Sequence, residues 1–271
     1  MLDTIFDKAK PIIGMVHLRP LPGSPLYRPG SMRDVCATAR KEALLLQEGG
    51  VDGVQLENIW DYPYLKGDEI GYETVAALTA AATAVSNAVD VPVGINCHLN
   101  GVLQSIAVAA AVDARWVRAF EWTNAYISRA GYIEGAAGKA LRYRSAIGAA
   151  DVRVLCDVNV KHGSHFIISD RSVREQARDA ESQGAEAIII TGWETGTPPT
   201  AEKTQTIKEA VAVPVLLGSG VNEENAAELL AVADGAIVGS AFKEDGNWKK
   251  PVDVRRVRRF MERVEQLRAT L

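Results

Sequence analysis

Eight short apolar runs, set apart by stretches with helical spacing, constrain this chain more than any other feature. They are IIGMV (12–16), GVQLE (53–57), VPVGI (91–95), WVRAF (116–120), VLCDV (154–158), AIIIT (187–191), VPVLL (213–217) and GAIVG (235–239). None alternates cleanly between apolar and polar residues, which is the pattern of strands covered on both faces. Helices are expected between them, over 33–49, 73–89, 102–112, 136–149, 172–183, 201–210, 223–232 and 253–269. Eight strand–helix units over about 250 residues predict an α/β fold, a single (β/α)₈ TIM barrel spanning residues 1–271. A doubly wound open sheet can be written from the same runs but does not account for eight units and a closing helix. That last helix carries Val254, Val257, Met261, Val264, Leu267 and Leu271 as one apolar stripe, with its arginines expected to face outward and Asp253 expected to cap it.

No Pro/Gly/Ser-rich tract or charge block divides the 271 residues, and 47% hydrophobic with 24% charged residues suits a globular domain with a sizeable core. The net charge of −4 gives no global positive field, so no nucleic-acid partner is expected. Cys36, Cys97 and Cys156 lack CxxC spacing, which argues for a reducing compartment and against a disulfide framework or structural zinc. The first ten residues, MLDTIFDKAK, lack the apolar region of a signal peptide. VAALTAAATAVSNAV (75–89) is too short and hydroxyl-rich to span a bilayer, so a cytoplasmic location without a transmembrane segment is expected.

Barrel active sites lie at the C-terminal ends of the strands. There the sequence places His17 after the first run, Glu57 and Asn58 after the second, and Asn96 and His98 after the third. Arg118 and Glu121 follow on the fourth, and Thr191, Glu194 and Thr195 on the sixth. The fifth run continues as DVNVKHGSH, where strand alternation would put Asp157, Asn159 and Lys161 on one face, with His162 and His165 in the loop. Each residue alone could be a hydrogen-bonded loop group, and Asn58 and Asn96 could bond loop backbone. Several charged ends on one rim point instead to a site, because unpaired buried charges are costly.

The runs LLGSGVNEENAAELL (216–230) and ADGAIVGSAFK (233–243) put Gly218, Ser219, Gly220 and Val221 after the seventh strand and Gly239 and Ser240 after the eighth. Glycines let the backbone approach an anion, and amides at helix starts point at it, so these six residues are expected to hold a phosphate. Asn222 is expected to cap the seventh helix, and WDYPYLKG, with Trp60, Tyr62, Tyr64 and Leu65, reads as a lid or an interface between copies of a homo-oligomer.

IIGMVHLRPLPGSP, GGVDGVQLEN, VPVGIN, LRYRSAIGA, DVNVKHGSH, ITGWETGTPP and VLLGSGVNEENAAELLAVADGAIVGSAFK together resemble the BtpA/SgcQ family from about residue 5 to residue 265. The resemblance implies a phosphate-binding α/β barrel. The family is named for a cyanobacterial protein needed to accumulate photosystem I, while relatives in non-photosynthetic bacteria look like parts of sugar-metabolism operons. Carried over by motif, it places His17, Glu57, Asn58, Asn96, Arg118, Asp157, Lys161 and His162 at the site, and the two glycine turns at the phosphate. The chain departs where many relatives read Arg-Val-Asn: here Arg118 is followed by Ala119, Phe120, Glu121 and Trp122, which removes an amide and adds aromatic surface.

These residues predict an isomerase, epimerase or lyase on a small phosphorylated metabolite. His17, Glu57, Asp157, Lys161 and His162 would be its catalytic groups, Asp157 or Glu57 as base, His17 or His162 as acid, and Lys161 or Arg118 stabilising negative charge on oxygen; Asn58, Asn96, Arg118, Glu121 and Thr191 would bind substrate. Lys161 lies near two histidines and Asp157, which argues for a charged lysine rather than a Schiff base. A metal-assisted hydrolase drawing on His17, Glu57, His98, Asp157 and His162 for a divalent metal is the second reading, weakened by the single histidine on the first strand. A third is an assembly factor without catalysis for a membrane complex, against which the retained strand-end charges count.

Overall fold

The computed structural model describes residues 2–192, 194 and 196–270. Eight parallel strands close into a barrel: β1 (Ile12–His17), β2 (Gly53–Glu57), β3 (Val93–Asn96), β4 (Trp116–Ala119), β7 (Arg153–Val158), β8 (Ala187–Ile190), β9 (Val215–Leu217) and β10 (Gly235–Val238). Around them run α1 (Met32–Glu48), α2 (Tyr72–Ser86), α3 (Val102–Ala111), α4 (Ala137–Ala146), α5 (Val173–Ser182), α6 (Ala201–Lys208), α7 (Ala226–Val232) and α8 (Val254–Arg268). The remaining pair, β5 (Ala125–Ser128) and β6 (Gly131–Glu134), is an antiparallel hairpin between β4 and α4.

The continuous apolar runs serve two cores. Ile13, Met15, Trp116, Leu155, Ala187, Ile189, Leu216 and Ile237 pack together inside the barrel, joined at its base by Ile5 and Phe6, whose ring lies 5.4 Å from that of Trp116. Residues of the opposite parity, including Val54, Leu56, Ile95, Val117, Ile188 and Leu217, pack with the helices. Trp116 needs Gly94 beside it: a Cβ there would sit 2.1 Å from the indole. Above the inner core, alternation sets His17, Glu57, Asn96, Arg118 and Asp157 on the inward face at the C-terminal end, with His17 opposite Glu57 and Glu57 opposite Asn96 in register.

Several local expectations change. Asp253 does cap α8, accepting from the Arg255 amide. Not all the α8 arginines face outward, however, because long stems carry two heads back to the protein. Arg268 reaches Asp52 at 2.5 Å, and Arg256 donates to the Ala241 carbonyl at 2.9 Å. Helix α7 begins later than expected, at Ala226, and Asn222 organises the preceding turn by accepting the Glu224 and Asn225 amides. Leu271 and Thr195 lie outside the described residues.

Helix α5 has the clearest start signal. Ser172 accepts the Glu175 amide while Glu175 accepts the Ser172 amide at 2.7 Å, a reciprocal pair that satisfies two end donors. Ser172→Ala is expected to lower unfolding stability by about 1 kcal/mol in urea titration.

Candidate functional site

The barrel mouth opens into a cavity of about 800 Å³, within the ordinary range for a ligand site. Of the residues named from sequence, His17, Glu57, Arg118, Lys161, His162, Gly218, Ser219, Gly220, Val221, Gly239 and Ser240 line it. Asn58, Asn96, Glu121, Asp157 and Thr191 do not; they stand behind or beneath those that do.

Two buried side-chain pairs organise the floor. Arg118 donates through Nε and Nη2 to the two Asp157 oxygens at 2.7 and 2.8 Å, a forked pair formed because β4 and β7 are neighbours in register. Burial opposes the Arg118 charge, but Asp157 and then Glu57 outweigh it and hold the guanidinium above its usual pKa. Its plane faces the Phe120 ring at 5.1 Å.

The second pair joins Glu57 and His98, with Nε2 2.9 Å from Oε1 in a contact whose alignment falls short of a hydrogen bond. Asn96 donates to the other Glu57 oxygen at 3.0 Å. Burial would raise the Glu57 pKa, but His98, Arg118 and His17 together push it well below the carboxylate range, so Glu57 is ionised. His98 is clasped between the rings of Tyr64 and Phe120, at 4.6 and 4.7 Å, and its amide donates to Asn58 Oδ1 at 2.7 Å. Asn58 is therefore a loop organiser that also donates to Asp61 at 2.8 Å.

His17 lies beneath the eighth-strand turn, its Nδ1 3.3 Å from the Trp248 carbonyl. Burial and the nearby Lys243 push its pKa down to about 4, so the ring is neutral at pH 7. Glu121 moves the other way: burial, and then Asp157, push its carboxyl up to about 8, so it holds a proton at neutral pH. Thr191 is fully buried, packed so close to Gly218 that a Cβ there would come within 2.9 Å of its methyl group.

The DVNVKHGSH stretch departs from strand alternation. β7 ends at Val158, and Asn159 (φ 54°) and His162 (φ 63°) take the left-handed conformation, which asparagine tolerates better than most residues. Asp157, still within the strand, faces Arg118, while beyond it Lys161 lines the cavity and Asn159 does not. His165 belongs to the loop, with Nε2 2.8 Å from the Val160 carbonyl and its ring stacked on Tyr126 at 5.3 Å.

The glycine turns form one wall. Gly220 (φ 73°) has no room for a side chain, since a Cβ would lie 2.1 Å from Pro198 N. A Cβ at Gly239 would meet the His17 ring at 3.3 Å. After Gly239 a single 3₁₀ turn runs from Ser240 to Phe242, in which Phe242 N bonds Gly239 O and Lys243 N bonds Ser240 O. The Ser240 and Ala241 amides are thus the leading donors of that turn. Lys249 and Arg256 line the cavity beside them.

Sequence reasoning missed four contributors. Arg256 was grouped with outward arginines, and Lys249 lies in a polar loop without a motif. Trp248 lines the cavity with Tyr62 and Tyr64 of WDYPYLKG, and packs at 5.0 Å on Trp60, which does not itself line it. The β5–β6 hairpin supplies Tyr126, Ser128 and Arg129. Its signal was present in AYISRAGYIE: two short apolar stretches flank Arg129-Ala130, with Gly131 at φ 94° closing the turn.

A sequence model of the BtpA family matches residues 8–266. The chain belongs to the BtpA family. It is 36% identical over 259 residues to the photosystem I biogenesis protein BtpA of Synechocystis, covering 95% of this chain and 88% of that protein. It is 40% identical over 252 residues to an uncharacterized protein of Archaeoglobus fulgidus, covering 93% and 97%. Among solved structures, the N-acetylmannosamine-6-phosphate 2-epimerase from Clostridium perfringens superposes with a TM-score of 0.57 at 13% identity, over 100% of this chain and 96% of that one. A likeness at that identity establishes the shared barrel of this BtpA-family chain. Among the described residues no helix is long and apolar enough to cross a membrane.

Proposed function

We propose that this BtpA-family barrel is an enzyme that isomerises, epimerises or cleaves a small phosphorylated metabolite by acid–base chemistry. One observation carries the reading: a single cavity holds the two glycine turns with Lys249 and Arg256 on one wall and Glu57, His98, His17, Arg118 and Lys161 on its floor and far side. The phosphate docks on the Gly218–Val221 and Gly239–Ser240 turns, its charge met by Lys249 and Arg256. The reacting carbons lie over Glu57, an ionised carboxylate suited to take a proton, with His98 as the group against which that proton is exchanged. The name of the Clostridium perfringens epimerase, a phosphorylated-sugar enzyme on the same fold, agrees with this substrate class.

The metal-assisted alternative draws less support from the donor set. Among the described residues no three His, Cys, Asp or Glu side chains gather as ligands, Asp157 being held by Arg118 and His17 turned to a backbone carbonyl.

Inorganic phosphate and sugar phosphates are expected to raise the melting temperature in proportion to the logarithm of their concentration. Arg256→Ala is expected to weaken phosphate binding about tenfold, the effect of losing one charged hydrogen bond. Calorimetric titration of both proteins measures it; no stabilisation of the wild type by any phosphorylated compound would overturn the reading.

A further inference from the structure

We infer that Lys161 is a covalent centre of this site, its Nζ condensing with the carbonyl carbon of a phosphorylated aldehyde or ketone to form an imine. The inference rests on the phosphate reading above and narrows its substrate class to carbonyl compounds.

The first observation is that Lys161 is unlike the other lysines drawn into the protein. Lys243 is paired with Glu42 at 2.6 Å, Lys208 is paired with Asp234, and Lys10 donates to the Ala233 carbonyl at 2.8 Å. Lys161 lines the cavity with no hydrogen bond or ion pair among the described residues. It is half-buried, and an ammonium group partly withdrawn from water without a partner is less favourable there than a neutral amine.

The second observation is what surrounds it. The carboxylate expected to hold its charge, Asp157, already spends both oxygens on Arg118. Burial, followed by the Arg118 guanidinium, outweighs the attraction of Glu57 and Asp157 and brings the ammonium down to about 8. His17, neutral at pH 7, gives no compensating charge. About a tenth of the amine is then free at pH 7 and about half at pH 8, and the free amine is the state that attacks a carbonyl.

The third is the company it keeps. Lys161 shares the cavity with the anion wall and with Glu57, so a ligand held by its phosphate can present a carbonyl to one group and a neighbouring C–H to the other. In the condensation a C–N bond forms and the C–O bond breaks. The two amine hydrogens depart with the carbonyl oxygen as water, and one further proton from the site makes the iminium. The iminium nitrogen then accepts the electron pair released when Glu57 removes the adjacent proton; return of that proton to carbon restores the iminium, and its hydrolysis by water returns the carbonyl, the amine and the borrowed proton. No oxidant or reductant is required.

Pyridoxal 5′-phosphate matches these demands, having one aldehyde and one phosphate, and is the probe to use on the full chain, followed by borohydride reduction and peptide mass mapping. One reduced adduct per chain is expected, on Lys161, forming with a half-maximal rate near pH 8. Inorganic phosphate should protect, and pyridoxal without its phosphate should label at least about tenfold more slowly, as for loss of one charged anchor. Lys161→Arg should lose the adduct while keeping the phosphate-dependent rise in melting temperature. Should that variant fail to fold, phosphate protection of the wild type decides alone. Stabilisation by phosphate with label spread over surface lysines and no preference for Lys161 would overturn the imine and leave the phosphate site standing. Equal labelling of Lys161 by both aldehydes without phosphate protection would instead overturn the phosphate reading and the substrate class inferred here.

Discussion

Asp157→Ala is expected to lower the unfolding stability of the barrel by about 3–5 kcal/mol, the cost of stranding a buried guanidinium. Arg118 is 4% exposed and Asp157 3%, so removing either leaves the other charge almost entirely out of water. The pair also shapes the mouth, since a Cβ at Gly218 would come 3.1 Å from Arg118 Nη2, and freeing that fork disturbs the glycine turn beside it. Arg118→Met combined with Asp157→Leu is expected to recover most of the lost stability, because replacing both members of a buried ion pair with apolar groups is often close to neutral. Urea midpoints of the wild type, the single variant and the double variant measure this. A single-variant loss below about 1 kcal/mol would mean that water reaches Arg118 and that the pair is not closed off as described.

The barrel itself was legible because each strand is buried on both faces and each helix has a single apolar stripe, properties written in short windows of sequence. The inward-facing polar ends were legible for the same reason: in a parallel strand covered by helices, Arg118 or Asp157 at the C-terminal end has no role in either core. The pairings were not. That Asp157 faces Arg118 and Glu57 faces His98 depends on which strands are neighbours and on their register, and the sequence alone could pair Glu57 with Arg118 equally well. The same dependence bears on Lys161: two histidines and Asp157 lie near it in sequence, but register commits both Asp157 oxygens to Arg118. Arg256 was hidden by a helix whose other arginines are solvated. Gly218 and Gly220 were singled out as phosphate-binding, yet Ile189, Thr191 and Pro198 crowd them enough that packing alone would require glycine. Gly239, beside His17 and Ser240, is the glycine most nearly explained by the cavity.

Glu121 should make the protein lose stability as pH rises, opposite to an ordinary paired carboxylate. Its carboxyl is held protonated up to about 8 by burial and by the negative charge of Asp157, while in the unfolded chain it ionises near its ordinary value of 4.5. Between those two values the folded state binds a proton that the unfolded state has released, so the stability difference falls with increasing pH through that window and levels off above it. The total is on the order of a few kcal/mol. Glu121→Gln keeps the shape and removes the titration. It is expected to match the wild type near pH 5 and to exceed it by that amount at pH 9, in urea melts carried out across the range. Other groups titrate too: His17, pushed down to about 4, costs stability as pH falls below 6.5, and Lys161, brought down to about 8, gains stability for the fold between 8 and 10.5. Both contribute to wild type and variant alike, so the difference between the two curves isolates Glu121. A flat difference would place the Glu121 carboxyl in water. A difference of the expected sign would establish a neutral carboxylic acid directly behind the Arg118–Asp157 pair, in reach of the same electrostatic field that tunes the cavity floor.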